Sequence, residues 1–322
     1  MEDLHTEIVR DNLHTVAFYN LENLFDINDD KFTNDNDFLP TSAKKWTPKR
    51  YQNKLRKLSF TISNIGKKET GKQPAIIGLA EVENASVIND LIHYKHLDEY
   101  NYSFVHFNSP DERGIDVALI YDKSVFDVTH TETFSVELFN DEGLPDYTRD
   151  ILRVSGMLDG VPVHIFVNHW PSRREGKAET DEKRMAASNK INDIIALLRL
   201  NDTEAKIIVL GDFNDDPSSE SIKNMVKHSN LYNAMETLRS YSRGSTSHNF
   251  KWNLFDQIII STNFFENTTN SLEFEKANIF DEDFLKLFNG KYKGTPFRTY
   301  VGKKYTGGYS DHFPVYAVFK KN

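Results

Sequence analysis

The chain has 322 residues, of which 39% are hydrophobic and 12% aromatic, so it can form a large core and is not globally disordered. Its formal net charge of −9 excludes generic binding to a polyanion unless a local basic patch or a metal ion offsets the repulsion. It contains no cysteine, which excludes disulfides, thiolate metal sites and cysteine nucleophiles.

The first half of the chain is predicted to contain a strand, a helix and a second strand in that order. Residues 15–19 form an apolar strand, and Pro48 begins a helix whose apolar residues recur at steps of three and four from Tyr51 to Ile65. Residues 75–80 are an unbroken apolar run, typical of a strand buried on both faces. Further predicted elements are a helix at 86–93 and strands at 102–107, 117–121 and 126–129.

The second half repeats this order of elements. Strands at 151–158 and 161–167 are joined by Asp159-Gly160, a typical two-residue hairpin turn. The longest helix is predicted at 180–200, and strands are predicted at 206–210, 256–261 and 315–319. Residues 261–271 are expected to be a surface loop. Because no linker divides the chain, we predict a single domain over residues 1–322 with a core at about 13–319.

An internal similarity predicts the architecture. Residues 76–84 resemble residues 207–215, since each is an apolar strand that ends in an acidic residue and then meets an asparagine. Each is preceded by a strand that ends in asparagine, at Asn20 or Asn168, and then by a long helix. Two such halves packed sheet on sheet predict a four-layered α/β sandwich, with polar residues clustered at the carboxyl ends of the strands.

Those strand ends carry carboxylates suited to a metal ion. Glu22, Glu81 and Asp311 offer hard oxygen ligands, and the sequence has neither cysteine nor a pair of histidines at i, i+4 spacing that would indicate zinc. Carboxylates and water suit Mg²⁺ or Mn²⁺. Such an ion could act as a Lewis acid on a phosphoryl oxygen.

The remaining strand-end residues suit proton transfer and stabilisation of negative charge. His312 and Asp256 could form a base and its orienting carboxylate. Asn20, Asn214 and His169 could donate hydrogen bonds to a developing oxyanion. No glycine-rich phosphate loop is present. The pattern therefore predicts metal-assisted hydrolysis of a phosphoester.

The motifs that contain these residues resemble those of the endonuclease/exonuclease/phosphatase superfamily, the fold of DNase I and exonuclease III. They occur in the family's order and span nearly the whole chain. They are the segments 19–26, 78–84 and 113–121, followed by Asn168-His169-Trp170-Pro171-Ser172-Arg173, Gly211-Asp212-Phe213-Asn214 and Ser310-Asp311-His312-Phe313-Pro314-Val315.

The resemblance implies roles for the metal and phosphate ligands. Glu81 would be the central metal ligand, Glu22 an outer or second ligand, and Asp311 would bind or position the metal. Asn20 would contact the phosphate. His169 would bind the phosphate or act as general acid, and this histidine makes the chain more similar to DNase I or the sphingomyelinase-type branch than to the abasic-site endonucleases.

The resemblance also implies the parts of the hydrolytic step. Asp212 and Asn214 would position the water or leaving group and stabilise the transition state, and Asp256 would orient His312. Whether His312 or Asp212 activates the water is left open. The expected activity is that of an Mg²⁺- or Mn²⁺-dependent phosphodiesterase, first of all a nuclease, with endo- or exonucleolytic cleavage undecided.

Other substrates and a non-catalytic role are alternatives. Because the net charge is acidic, a sphingomyelinase-like, inositol-phosphate-like or small-phosphodiester hydrolase is an alternative to a nuclease. A binding module on the same fold is the remaining alternative, although the full catalytic set argues against it.

Four basic residues are candidates for substrate binding. Arg113 lies in a family motif, while Arg298, Lys303 and Lys304 belong to a segment, 291–309, that interleaves basic with aromatic residues and leads into Asp311. Such a segment suits either a polynucleotide grip or a packed surface loop. The basic run 44–57 is better explained as the solvated face of a helix.

The sequence also bears on structural ions, assembly and location. The acidic loop 28–37 lacks the glycine and the closing glutamate of an EF-hand, so Ca²⁺ is expected at most as a structural ion. No apolar run approaches the roughly 18 residues of a membrane span. We expect a monomer. The acidic N-terminus lacks a signal peptide, so a cytoplasmic location is the default, with secretion open if a leader had been removed.

Overall fold

A computed structural model describes residues 10–31, 33–140, 142–173 and 176–322 of the chain. The helices are α1 (Pro48–Asn64), α2 (Lys67–Thr70), α3 (Ala85–Ile92), α4 (Lys177–Asn201) and α5 (Glu220–His228). The strands are β1 (Leu13–Leu24), β2 (Ile76–Val82), β3 (Tyr102–His106), β4 (Asp116–Asp122), β5 (Phe126–Phe134), β6 (Ile151–Leu158), β7 (Val161–His169), β8 (Ile207–Asp212), β9 (Leu231–Asn233), β10 (Thr246–His248), β11 (Lys251–Asn253), β12 (Asp256–Ser261), β13 (Leu272–Ile279), β14 (Tyr300–Val301), β15 (Lys304–Tyr305) and β16 (Val315–Lys321).

The predicted four-layered α/β sandwich is confirmed. One six-stranded sheet has the order β13-β16-β1-β2-β4-β3, and the other has the order β5-β6-β7-β8-β12-β9. The two sheets pack face to face and helices cover their outer faces. The prediction of a single domain over 1–322 stays a prediction. Among the described residues, no helix combines the length and the apolar character that crossing a membrane would require.

The internal similarity corresponds to two structural halves. β1 and β2 are parallel strands joined across α1, and β7 and β8 are parallel strands joined across α4. The other neighbouring strand pairs of both sheets are antiparallel. Since parallel strands direct their carboxyl ends to the same edge, the motifs that follow β1, β2, β7 and β8 come together.

The stripe of apolar residues predicted on α1 forms part of the core. Tyr51, Leu55, Leu58 and Ile62 are buried, and so is Ile65 just beyond the end of the helix. Each recurs three or four residues after the last, so all face the same sheet. This face fixes the helix over β1 and β2.

Several short elements were not predicted, and for β13 and α5 the reason can be identified. β13 carries a β-bulge between Phe274 and Lys276, which interrupts the alternation by which a strand is recognised. α5 is short, and few apolar residues define its buried face. The predicted strands also run further than expected, since β1 continues to Leu24 and β7 to His169.

The two sheets approach each other closely where a glycine faces a leucine. A Cβ atom added to Gly78 on β2 would lie 2.2 Å from Leu210 Cδ1 on β8 and 3.2 Å from Val167 Cγ1 on β7. A side chain at this position would therefore force the sheets apart. The close approach also sets how near the two sets of strand ends lie.

We predict that Gly78→Val lowers the free energy of unfolding by about 1–3 kcal/mol through overpacking. Leu210→Ala alone should also destabilise, because it leaves a cavity. In the double variant the two effects should be less than additive, since the smaller residue vacates the space that the larger one needs. Denaturant unfolding of all four proteins checks this, and strict additivity would contradict direct contact across the sheets.

Candidate functional site

A cleft of about 570 Å³ lies at the edge where the strand ends of both sheets meet. Its acidic, amide and imidazole side chains are Glu81, His169, Asp212, Asn214, His248, Asn253, Asp311 and His312. Its basic side chains are Arg113, Arg173, Lys251 and Arg298. Asn20 and Asp256, which are fully buried, lie behind the lining and contact it through hydrogen bonds.

Three non-glycine residues of the site adopt left-handed backbone conformations. The φ angles are 52° at Glu22, 63° at Glu81 and 51° at Asn214. Such conformations are uncommon outside glycine, and they persist where the surrounding structure holds them. Glu22 and Glu81 lie within the last three residues of β1 and β2, and Asn214 lies two residues after β8.

His312 is paired with a buried carboxylate. Its Nδ1 lies 2.6 Å from Asp256 Oδ2, and Asp256 belongs to β12 and has no exposed surface. Ser310 fixes the loop, since its hydroxyl donates to the Asn20 carbonyl at 2.7 Å and accepts the His312 backbone N–H at 3.1 Å. The His312 Nε2 atom is directed at the cleft, 3.9 Å from Asp212 Oδ2.

The pairing changes the protonation of His312. Burial alone would lower the pKa of the imidazole, but the carboxylates of Asp256 and Asp212 raise it well above its ordinary value. The folded state therefore binds a proton that the unfolded state loses near pH 6.5. This contribution to stability is complete below about pH 6.5 and is lost as the pH rises through the folded-state pKa of His312.

Asp212 lies at the centre of the site. Its Oδ1 accepts the Asn214 backbone N–H at 3.0 Å, and its Oδ2 accepts the Asn20 side-chain amide at 3.0 Å. His169 Nε2 is 3.8 Å from the same Oδ2 atom. Burial raises the pKa of Asp212 to about 7, although the neighbouring His312 opposes the rise.

The two predicted metal ligands from the first sheet have different environments. Glu81 Oε2 accepts the Asn23 backbone N–H at 2.9 Å, while Oε1 lies 4.0 Å from both Arg113 and His169, beyond hydrogen-bond distance. Glu22 is buried, and its Oε2 accepts the Thr299 backbone N–H at 2.6 Å. Glu22 does not line the cleft.

The third predicted metal ligand, Asp311, forms an ion pair inside the cleft. Its Oδ2 accepts Arg298 Nη2 at 2.6 Å, and its Oδ1 lies 4.0 Å from His312 Nε2. Burial would raise the pKa of Asp311, but the positive charges of His312 and Arg298 prevail and lower it. Asp311 is therefore ionised and retains one oxygen that faces the site.

The four predicted substrate-binding residues separate into two groups. Arg113 lines the cleft and donates to Asn23 Oδ1 at 3.2 Å, and Arg298 also lines the cleft beside Asp311. Lys303 and Lys304 lie instead on the ribbon formed by β14 and β15, where both are exposed and neither lines the cleft.

Two arginines that were not predicted as site residues support the site. Arg173 donates to the Asn214 carbonyl at 2.7 Å and to Asp215 Oδ1 at 2.6 Å. Arg149 is buried, pairs with Asp111 at 2.9 Å and donates to the His169 carbonyl at 3.2 Å. Arg173 could have been inferred from its motif, whereas nothing in the sequence around Arg149 indicates its role.

The interpretation of residues 44–57 as a solvated helix face is wrong at Lys54. This side chain is 1% exposed, and its Nζ donates to Thr299 Oγ1 and to the Tyr309 carbonyl, both at 2.6 Å. Burial lowers the pKa of Lys54 to about 8, and Glu22 opposes the shift. α1 therefore anchors the chain that leads to Asp311.

Two packed sheets with a cleft of carboxylates and imidazoles at their common edge define the DNase I-like class of α/β sandwich proteins. Residues 15–321 match the model of the endonuclease/exonuclease/phosphatase family. The chain belongs to this family, whose members are metal-dependent phosphoester hydrolases that commonly use Mg²⁺. No curated protein matches the sequence.

Solved structures of similar fold share little sequence with the chain. A family protein from Bacteroides thetaiotaomicron is 18% identical, with a TM-score of 0.59 over 96% of this chain and 95% of that one. A mannosyl-6-phosphatase from the same organism is 19% identical, with a TM-score of 0.58 over 95% and 99%. Truncated TDP2 from Caenorhabditis elegans is 15% identical, with a TM-score of 0.59 over 96% and 97%. These similarities establish the fold.

The donor atoms of the cleft fit a divalent ion. Glu81 Oε1 and Asp311 Oδ1 are carboxylate oxygens that face the cleft. Arg113 and His169 lie 4.0 Å from Glu81 Oε1, and His312 lies 4.0 Å from Asp311 Oδ1, all beyond hydrogen-bond distance. Such oxygens are the ligands that Mg²⁺ and Mn²⁺ prefer. Asp212, Asp256 and His312 also place one potential ligand atom each within 4.8 Å of one another. The 2.6 Å bond between His312 and Asp256, however, gives those two residues the geometry of a hydrogen-bonded pair.

We predict that Asp256→Asn lowers the pKa of His312, because a neutral amide does not stabilise the imidazolium. NMR titration of the histidine ring nitrogens checks this in the metal-free protein. His164, which pairs with Ser155 on the second sheet and whose pKa is lowered by burial, is the internal control and should titrate as before. An unchanged His312 titration would contradict the pairing.

Proposed function

We propose that the protein is a divalent-metal-dependent phosphodiesterase. The observation that carries the proposal is the hydrogen bond of 2.6 Å between His312 and Asp256 beside the carboxylate of Asp212, in a cleft that also holds Glu81 and Asp311. Both acidic and basic side chains line this cleft, in which a phosphoryl group would bind. The arrangement supplies a base, oxyanion donors and hard metal ligands together.

In the proposed mechanism Asp212 is the general base. The buried Asp256 carboxylate favours the imidazolium form of His312, which cannot accept a further proton. Asp212 has a pKa raised by burial to about 7, close to the pH at which a general base works best. Its position is held by Asn20 and by the backbone of Asn214. It would remove a proton from the attacking water.

The remaining residues bind and stabilise the phosphoryl group. The His312 imidazolium and His169 would donate to its oxygens, and Asn214 would share in the donation as charge develops. Arg113 and Arg298, which both line the cleft, would attract the substrate's negative charge. Glu81 and Asp311 would hold the divalent ion, which acts as a Lewis acid when bound.

Polynucleotide is the first candidate substrate. The cationic side chains of Arg113, Arg173, Lys251 and Arg298 around the cleft support it, since phosphate contacts dominate the binding of nucleic acid. The second candidate is a small phosphodiester. Two facts support this alternative. Lys303 and Lys304 lie outside the cleft, and the net charge of −9 disfavours the binding of long polyanions.

We predict that a chelator abolishes hydrolysis and that Mg²⁺ or Mn²⁺ restores it. Glu81→Gln should raise the Mg²⁺ concentration needed for half-maximal activity, because an amide is a poor substitute for a carboxylate opposite a hard dication. Glu220→Gln on the exposed surface of α5 is the control. A panel of plasmid DNA, single-stranded DNA, RNA, bis-p-nitrophenyl phosphate and sphingomyelin identifies the substrate class.

Asp212→Asn and His312→Ala serve as catalytic controls for that panel, and each should lower kcat by about 10² to 10⁴. Undiminished turnover in excess chelator, or full activity of Asp212→Asn, would overturn the proposed site.

If a polynucleotide is the substrate, we predict that the salt dependence of cleavage changes when the two lysines of the β14–β15 ribbon are removed. Lys303→Ala combined with Lys304→Ala should flatten the salt dependence of cleavage, because each lost phosphate contact removes about 0.7 to 0.9 from the log–log slope. The control changes Lys123 and Lys227, two other exposed lysines, to Ala. Rates on plasmid DNA at several salt concentrations measure the effect. Equal slopes in both double variants would show that this ribbon does not contact nucleic acid.

A further inference from the structure

A second pocket opens beside the catalytic cleft. It has a volume of about 290 Å³, and its apolar walls include Phe250, Leu287, Tyr292, Pro296, Phe297 and Val301. Ser247, His248, Arg298 and Asp311 line both the pocket and the cleft, so the two spaces adjoin. A molecule with its phosphate in the cleft could therefore extend into this pocket.

One wall of the pocket is the tip of the hairpin formed by β10 and β11. Asn249 and Phe250 are its two turn residues, with φ angles of 47° and 63°. A two-residue turn with both φ angles positive favours Asn-Gly, and a bulky residue at the second position is strained. The hairpin therefore presents a phenyl ring where glycine would be more stable.

That ring is the outer part of an aromatic cluster. Phe250 is 55% exposed, and its ring stacks on Tyr292 with centroids 4.9 Å apart and an angle of 11° between the planes. Lys291 Nζ lies 4.9 Å from the centre of the Phe250 ring. Because Phe250 is exposed and its backbone is strained, burial of its ring stabilises the fold less than full burial of a phenylalanine would.

The opposite wall is held in place by the chain that leads to Asp311. The Tyr309 N–H donates to the Phe297 carbonyl at 2.6 Å, and the Gly308 N–H donates to the Arg298 carbonyl at 3.0 Å. A Cβ atom on Gly308 would lie 2.0 Å from the Phe297 carbonyl oxygen, so the two chain segments are in direct contact. Lys57 Nζ on α1 lies over the Tyr309 ring at 4.3 Å. Phe297 and Arg298 are thereby fixed.

The composition of the walls indicates what would occupy the pocket. Aromatic faces select planar rings by stacking, and the volume is at the lower limit of ligand pockets, about 300 Å³, which suits one ring system. Arg298 stands at the junction with the cleft, where it would neutralise a phosphate attached to that ring. A long acyl chain would leave these features unused.

We propose that this pocket is a specificity subsite for a planar aromatic group esterified to the phosphate that the cleft holds. The inference rests on the proposed function and adds a substrate class to it, namely phosphoesters in which one substituent is an aryl group or a nucleobase close to the phosphorus. Phe250 and Tyr292 are then specificity-determining residues, and Arg298 joins the subsite to the catalytic centre.

Binding of small phosphonates tests the subsite apart from turnover. Phenylphosphonate, cyclohexylphosphonate and methylphosphonate are titrated into the full chain with Mg²⁺ present, and dissociation constants are measured by ligand-observed NMR. Phenylphosphonate should bind about tenfold more tightly than methylphosphonate, which corresponds to one stacking contact. Equal binding of the phenyl and cyclohexyl compounds would overturn the proposal in favour of a non-aromatic occupant.

Phe250→Gly is the decisive variant, because it relieves the backbone strain while removing the ring. Its melting temperature should equal or exceed that of the wild type, and the preference for phenylphosphonate should fall to about twofold or less. Phe139→Ala, at another exposed phenylalanine, is the control and should keep the preference. A preference retained in Phe250→Gly would refute the subsite.

Hydrolysis of bis-p-nitrophenyl phosphate, measured on the same preparations, separates the two hypotheses. If the wild type hydrolyses the diester but binds phenylphosphonate no more tightly than the other phosphonates, the subsite is refuted and the proposed phosphodiesterase activity is supported. Aryl preference that depends on Phe250, without hydrolysis of any phosphoester in the panel, would support the subsite as a binding site and overturn the proposed activity.

Discussion

A buried hydrogen bond between the two sheets lies at the centre of the site. The Asn20 side chain, from the end of β1, donates to Asp212 at the end of β8 over 3.0 Å. The two residues are 192 positions apart in the chain and belong to different sheets. The bond can form only if the sheets pack closely, which the absence of a side chain at Gly78 permits. The close packing of the two sheets therefore also determines where Asp212, the proposed base, is held.

The same strand end organises the rest of the cleft. The Asn20 carbonyl accepts the Ser310 hydroxyl, and the Asn20 side-chain oxygen accepts the Glu22 backbone N–H at 2.9 Å. Ser310 positions His312, and the turn at Glu22 and Asn23 brings the Asn23 N–H to Glu81. This arrangement requires left-handed backbone conformations at Glu22 and Glu81, which are unfavourable for residues other than glycine. The buried Asn20 side chain thereby orders residues that line the cleft.

The fold and most of the cleft could be predicted because both depend on local patterns. Apolar runs and helical spacing identify β1, α1 and β2, and the repeat of that unit identifies the second half. The polar residues after each strand are adjacent in sequence to elements whose ends must meet. Lys54 and Arg149 could not be recognised in this way, because their partners, at Thr299 and at His169, are distant in sequence. The pocket beside Phe250 likewise depends on contact between a hairpin and a segment about forty residues later.

The electrostatics of the site explain why its carboxylates and a divalent ion belong together. Burial raises the pKa of Glu22 to about 7, and the nearby charge of Asp311 adds to the rise. Burial raises the pKa of Asp212 to a similar value. Lys54, Arg298 and the His312 imidazolium supply positive charge, yet these carboxyl groups still hold their protons more firmly than they would in water. A cation bound at Glu81 and Asp311 would stabilise the ionised forms. Glu81, Asp212 and Asp311 thus lie together where a bound metal ion would offset their mutual repulsion and allow a phosphate to approach.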